Sequence, residues 1–175
     1  MEHSAITWKH VIYELFALIF KITLIAIVIY LISTKVMIYR VKDDSMKPMV
    51  RENDLCLFSS EKQYYINDVV IYTKDGEEYT GRIKAIPGQS VKIAKNRHLY
   101  INEYDDGSGE MNAGTIEYPL TVDDNSVFIL NDNKEDMDDS RTFGCIDIAT
   151  IKSKMIFLAR QVNHEAKITD HNSNH

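Results

Sequence analysis

The chain has 175 residues, of which 45% are hydrophobic and 26% charged, and its formal net charge at pH 7 is -6. That length leaves room for one compact domain beside a membrane segment, and not for a second. The acidic balance, without a basic stripe, argues against nucleic acid as a partner, because phosphate recognition depends on clustered Lys and Arg.

The first predicted element is a single transmembrane helix. Residues 1–10 are short and polar, and the predicted helix at 11–33 is mostly apolar, with Lys21 as its most unusual member. At about 1.5 Å per residue this run spans the roughly 30 Å hydrocarbon core of a lipid bilayer. A cleaved secretion signal is the alternative, but the run is too long and lacks a small-x-small cleavage site. Lys21 either snorkels toward the N-terminal side or faces another helix.

The flanking charges do not settle the orientation of this helix. Lys9 precedes the span, whereas Lys35, Arg40 and Lys42 follow it. The positive-inside rule therefore mildly opposes an external C-terminal domain.

Residues 34–159 are predicted to form one mostly β domain, a folded or barrel-like sheet arrangement. Short segments alternate apolar and polar residues between turn signals, and no long stretch of helical period follows the membrane run. The acidic, glycine-containing segment 103–115 is predicted to be a loop, and residues 160–175 a loose polar tail. The predicted strands are residues 37–41, 54–58, 68–72, 77–86, 90–95, 98–102 and 126–130, with further strands within 145–159.

No metal site or cofactor site is predicted. The six histidines are scattered without zinc-site spacing. The acidic stretch from Asn131 lacks the Asp at position 1 and the Gly at position 6 of a calcium-binding EF-hand loop, where Asp136 stands instead. Cys56 and Cys145 could form one disulfide, but two separate buried thiols are the favoured interpretation.

Three motifs follow the membrane run in a recognisable order. They are Ser45-Met46-Lys47-Pro48, residues 81–89 with Arg82-Ile83-Lys84 and Pro87-Gly88, and residues 131–144 with Asp132-Asn133 and Asp139-Ser140-Arg141. The first resembles the S-M-x-P nucleophile box of type I signal peptidases. The second and third resemble their K-R-V-x-G-x-P-G-D and G-D-N-R-x-x-S-x-D-S-R-x-F-G boxes. Asn67-Asp68-Val69-Val70 is also similar to their G-D-V-V segment.

The resemblance implies a membrane-tethered β domain on the outer side of a Gram-positive-type cell membrane. In that family a serine attacks the scissile carbonyl of a signal peptide, a neutral lysine is the general base, and no metal or cofactor takes part. The resemblance places Ser45 at the nucleophile position, Gly81 at the lysine position, and Asp43 and Asp44 in the oxyanion region. It assigns structural positions to Met46, Pro48, Arg82, Pro87, Gly88, Asp132, Asn133, Asp139, Ser140 and Arg141.

The residue at the lysine position is the largest departure from the family pattern. If residues 79–86 form a strand, Gly81 lies on an apolar face and Lys84 lies on the opposite one. A lysine on the apolar face would be desolvated, and its lowered pKa would let it accept a proton near neutral pH. Gly81 offers no base, and Lys84 is predicted to be an ordinary exposed residue that does not replace it.

The second departure is Asp43, which lies two residues before Ser45 where the family usually has Gly or Ser. A carboxylate there would repel the negative charge that develops on the substrate oxygen. In the third box, Met137 replaces a serine, whereas Asp139 and Arg141 keep a carboxylate and a guanidinium that can pair. We therefore predict a loop that braces the sheet.

Two functions fit these residues. The first is a non-catalytic member that binds secreted or pilin precursors as a chaperone or scaffold in Gram-positive pilus assembly, with sortase machinery as a further partner. It follows from the resemblance to signal-peptidase-like proteins of pilus systems that lack dyad residues. The second is an active signal peptidase, a serine endopeptidase with an unorthodox base. Retention of Ser45 supports it, although a turn hydroxyl is the plainer explanation of that serine.

Overall fold

In the computed structural model of the chain, residues 8–160 are described. Residues 1–7 of the N-terminal segment predicted at 1–10, and residues 161–175 of the tail predicted at 160–175, lie outside these residues. The first element, α1, runs from Trp8 to Ser33 and begins three residues before the predicted span. Its stretch from Trp8 to Tyr30 has a mean hydropathy of 2.4 and is long and apolar enough to cross a membrane.

The sequence of α1 favours an uninterrupted helix, because it contains neither glycine nor proline. Its hydroxyl side chains bond back to the helix backbone. Thr23 Oγ1 donates to the carbonyl of Ile19 at 2.9 Å, and Ser33 Oγ donates to that of Tyr30 at 2.8 Å. These polar groups are therefore satisfied within the helix, as a lipid environment requires.

The rest of the described chain is mostly β, as predicted. Two antiparallel sheets form, one with the strand order β1-β2-β11-β3-β4-β9-β10 and one with the order β7-β6-β5-β8. A four-residue helix, α2, spans Ser140–Phe143, and a 3-10 turn spans Ile148–Thr150. The strands are β1 Val36–Arg40, β2 Leu55–Ser59, β3 Val69–Lys74, β4 Glu77–Ala85, β5 Ser90–Ile93, β6 His98–Ile101, β7 Tyr104–Glu110, β8 Leu120–Thr121, β9 Ser126–Leu130, β10 Ile146–Asp147 and β11 Ile151–Ala159.

The loop predicted at residues 103–115 is wrong for Tyr104–Glu110, which form β7. Asn102 and Glu103 both have positive φ, at 49° and 72°, and they join β6 to β7 as the two-residue turn typical of hairpins. The glycines and acidic residues of β7 are tolerated because it is the edge strand of its sheet.

The seven-stranded sheet is packed on both faces, and alternate residues of β3 enter opposite cores. Thr80 and Gly81 of β4 also lie on opposite faces, because they pair with Ile71 and Val70 of β3 respectively. The front cluster consists of Val41, Met46, Val50, Cys56, Phe58, Val69 and Ile71. The back cluster consists of Val70, Tyr72, Ile83, Val127, Ile129, Ile146 and Ile151.

The two cysteines are free thiols in separate parts of the domain. Cys56 is buried in the front cluster, whereas Cys145 is half-buried and packs against a third cluster beside the four-stranded sheet. The favoured interpretation of two separate thiols therefore agrees with the structure, although Cys145 is only partly covered.

Candidate functional site

Ser45 lies in the segment that joins β1 to β2. The neighbouring Met46 side chain is 1% exposed in the front cluster, and Val50 N–H donates to the Met46 carbonyl at 2.9 Å. Lys47 N–H donates to the Asp44 carbonyl at 3.1 Å, which tightens the same turn. The buried anchors Met46 and Val50 thus hold Ser45, itself 7% exposed, in one position at the edge of the front cluster.

One carboxylate oxygen takes both hydrogen-bond donors of Ser45. The Ser45 hydroxyl donates to Asp43 Oδ1 at 2.5 Å, and the Ser45 backbone N–H donates to the same oxygen at 2.9 Å. In serine hydrolases the hydroxyl needs a base, and the backbone N–H of the serine commonly stabilises the oxyanion. Asp43 therefore accepts hydrogen bonds from both the hydroxyl that would have to lose its proton and the N–H that would have to stabilise the oxyanion. Its carboxylate also places negative charge beside both groups.

The position predicted for the catalytic lysine has no room for a side chain. A Cβ atom at Gly81 would lie 2.4 Å from Ile129 Cγ2 and 3.4 Å from the Leu130 carbonyl oxygen. The φ angle of Gly81 is not positive. A larger residue at this position would therefore force Ile129 of β9 to shift, whereas the backbone conformation of Gly81 does not itself exclude a side chain.

The loop after β9 ties the Ser45 segment to β4. Arg82 forms a two-pronged contact with Asp132, with Nε 2.8 Å from Oδ1 and Nη2 2.5 Å from Oδ2. The next residue, Asn133, donates its backbone N–H to the Ser45 carbonyl at 2.9 Å and its Nδ2 to the Asp44 carbonyl at 3.3 Å. These contacts bring the first two motifs together through the third.

Asp139 and Arg141 form a fully buried ion pair in the same loop. Arg141 Nη2 lies 2.7 Å from Asp139 Oδ2, and Asp139 also accepts the backbone N–H of Asn131 at 2.9 Å and caps α2. Arg141 further donates to the carbonyl oxygens of Lys134 and Asp136. The bracing loop predicted from the sequence thus has a guanidinium at its centre.

Of the lysines near the motifs, Lys47 and Lys84 pair with carboxylates, and Lys134 does not line the cavity beside Ser45. The expectation that Lys84 is an ordinary exposed residue is wrong: its side chain is 15% exposed, and its ammonium lies 2.9 Å from Asp106 Oδ2 because β7 folds over it. Lys47 pairs with Asp44 at 2.5 Å. Burial and the nearby Lys84 lower the pKa of Lys134, but this residue does not line the cavity beside Ser45.

A cavity of about 190 Å³ opens beside Ser45. Asn131 is 2% exposed and lines this cavity, and its Oδ1 accepts no hydrogen bond from any described residue. Among the described residues, those that line the cavity include no Lys, Arg or His, whereas four carry carboxylates. The full lining consists of Asp43, Ser45, Glu78, Tyr79, Thr80, Asn131, Asp136 and Asp138.

Sequence reasoning identified only part of this site. Ser45 and Asp43 line the cavity, whereas Pro87 and Gly88 lie in the β4–β5 turn and do not line it. The roles of Ile129, Glu78, Asp136 and Asp138 at the site were missed. One departure in the sequence did point to this part of the site: Asn131 stands where the third motif of type I signal peptidases has glycine.

Comparisons with known proteins agree with the motifs. Residues 12–159 match the sequence profile of the family described as signal peptidase, peptidase S26. "Inactive signal peptidase IA" of Staphylococcus aureus is 27% identical over 153 residues, covering 79% of this chain and 86% of that protein. "Signal peptidase I P" of Bacillus subtilis subsp. natto is 28% identical over 156 residues, covering 72% of this chain and 80% of that protein.

A solved structure is also similar to this chain. The crystal structure of a signal peptidase I from Enterococcus faecalis V583 superposes with a TM-score of 0.45 and 23% sequence identity. The match covers 54% of this chain and 97% of that chain.

Proposed function

Because the chain belongs to the signal peptidase family, peptidase S26, we propose that it is a membrane-anchored, non-catalytic member that binds secreted precursors without cleaving them. The observation that carries this proposal is that the hydroxyl and the backbone N–H of Ser45 both donate to Asp43 Oδ1. Gly81 adds to it, since the position of the family's lysine carries no base and is closed by Ile129.

The proposed role is that of a chaperone or scaffold for pilin precursors on the outer face of a Gram-positive cell membrane, in contact with sortase machinery. An extended peptide can add to an exposed sheet edge through main-chain hydrogen bonds, which need no catalytic base. In the described chain, β1 is an edge of the large sheet and directly follows the membrane helix α1. An edge in this place suits a precursor that is itself emerging from the membrane.

Cleavage and binding are separable in one experiment. The full chain is reconstituted in lipid vesicles with a precursor that carries a signal peptide, next to a Ser45→Ala variant. We expect no cleavage by the wild-type chain above the level of the variant, because Asp43 engages both donors of Ser45. Photocrosslinking to the precursor is expected to be equal for both chains. Cleavage that disappears in Ser45→Ala would contradict the non-catalytic function, and failure to crosslink would contradict the binding function.

An active peptidase is the second candidate, favoured by the 2.5 Å contact between the Ser45 hydroxyl and Asp43. Asp43 would then be the unorthodox base. A carboxylate is a weaker base than a neutral lysine amine and would repel the oxyanion. The Asp43→Asn variant separates the candidates, because it would abolish cleavage by an active peptidase and leave a non-catalytic member unchanged.

A further inference from the structure

We propose that α1 docks, within the membrane, against a transmembrane helix of another protein that carries an aspartate or glutamate near the middle of its span. Lys21 and the face of α1 on which it lies form the contact. This inference goes beyond the proposed function, because it concerns the membrane helix and not the cavity beside Ser45.

The depth of Lys21 is the first argument. α1 continues through Lys21 without interruption, inside the apolar run of residues 11–32. Because about 20 residues of this run fill the hydrocarbon core, Lys21 lies at least about 12 Å from either boundary of the core, whichever 20 are chosen. Its side chain has five bonds of about 1.5 Å between Cα and Nζ, so it reaches less than about 8 Å. The ammonium therefore stays inside the core even when the side chain snorkels, and an ionised group there is costly without a partner.

Lys21 has no partner in the described part of the chain. No residue from Trp8 to Tyr30 is buried against another described element. Glu14 is the other charged residue of the apolar run, and neither it nor Lys21 forms an ion pair or a side-chain hydrogen bond among the described residues. Seven residues separate the two, which is about 10 Å along the helix axis. The partner of Lys21 therefore has to come from another helix.

The face of α1 around Lys21 suits a contact between helices. Glu14, Ala17 and Lys21 share this face, because they are spaced by three, four and seven residues. Ala17 lies between the two charged residues, and small residues let the backbones of two membrane helices approach closely. The bulky Phe16 has none of these spacings to Glu14 or Lys21 and points away from the face. A second helix can therefore pack against Ala17 with its own polar group beside Lys21.

Charge complementarity decides which helix this is. A second copy of the chain would enter the bilayer in the same direction, so its Lys21 would lie at the same depth and two ammonium groups would oppose each other across the contact. A carboxylate near the middle of a partner helix meets Lys21 whichever way that helix runs, because the centre of a span stays at the centre when the helix is reversed. Ionisable groups within membrane spans usually pair in this way. The occupant is therefore a different protein with an acidic residue at mid-span.

The test uses the full chain in lipid vesicles and three synthetic transmembrane peptides. Each is a helix of about 20 leucine and alanine residues, and the central residue is aspartate, asparagine or leucine. Each peptide carries an acceptor dye at both ends, and association is followed by energy transfer from Trp8, the only tryptophan of the chain. We expect the aspartate peptide to associate at least about five-fold more tightly than either of the others.

Variants of Lys21 make this measurement specific. Lys21→Met should reduce association of the aspartate peptide to the level of the leucine peptide, whereas Lys21→Arg keeps the cation and should retain it. Lys35→Met is the matched control, because Lys35 follows α1 and lies outside the apolar run. It should leave association unchanged. Equal association of the aspartate peptide and either other peptide with the wild-type chain, or no effect of Lys21→Met, would overturn the proposal.

Self-association distinguishes a second copy from a different protein. The number of chains in each complex is counted in the same vesicles by single-molecule photobleaching of a dye at the C-terminus. We expect the wild-type chain to be monomeric at concentrations at which it binds the aspartate peptide. A wild-type dimer that is lost in Lys21→Met would contradict the proposal and assign the face of Lys21 to a second copy of the chain.

Discussion

Replacement of Arg141 by methionine is expected to lower the free energy of unfolding by about 3–5 kcal/mol, because it leaves the Asp139 carboxylate buried without its partner. The carbonyl oxygens of Lys134 and Asp136 lose a donor at the same time. Thermal unfolding of the full chain in detergent, followed by near-ultraviolet circular dichroism of its tyrosines, should show a Tm lower by roughly 10 °C or more.

Two further variants make this measurement specific. Arg97→Met is the control, since the Arg97 side chain is 54% exposed and lies 3.7 Å from Glu110, and such a surface pair contributes about 0–1 kcal/mol. Asp139→Leu/Arg141→Met removes both buried charges and should be less destabilised than Arg141→Met alone. A Tm change in Arg141→Met as small as that in Arg97→Met would show that the ion pair does not brace the loop.

Gly81→Lys alone is expected to produce no measurable cleavage of a signal-peptide substrate. Its Cβ would meet Ile129 Cγ2 at 2.4 Å, so the variant should also lose roughly 1–3 kcal/mol of stability through overpacking. Asp43 would still hold both donors of Ser45. Cleavage is measured in lipid vesicles and stability by thermal unfolding of the same preparation.

Gly81→Ala is the matched control, because it introduces the same Cβ without the amine. It should reproduce most of the loss of stability. Adding Ile129→Ala and Asp43→Ser to Gly81→Lys removes the steric and electrostatic obstacles, so any recovery of cleavage should occur in this triple variant first. Substantial turnover by Gly81→Lys alone would show that Asp43 and Ile129 obstruct the site less than the geometry indicates.

The face on which Gly81 lies could be predicted from the sequence because successive side chains of a β-strand point to opposite faces of the sheet. Alternation alone places Thr80 and Gly81 on opposite faces, and the pairing with β3 agrees. The motif spacing likewise anticipated the pair of Asp139 and Arg141, which the structure forms.

Other features depend on register and torsion angles that no local pattern encodes. The β4–β9 pairing, with its irregularity between Ile83 and Ala85, decides that Ile129 fills the space beside Gly81. The strand β7 was missed because its hairpin supplies backbone hydrogen bonds to residues with poor strand propensity. The same hairpin also buries most of the Lys84 side chain, because Asp106 of β7 pairs with its ammonium group.

The short connection between α1 and β1 limits how far the β domain can lie from the membrane. Only two residues separate Ser33 from Val36, and two extended residues reach about 7 Å. With α1 in a bilayer, the domain is confined close to the lipid surface, and a partner anchored in the same bilayer reaches it by lateral diffusion. Such confinement raises the effective concentration of the partner, so a contact too weak to detect between dilute proteins in solution can be well occupied at the membrane.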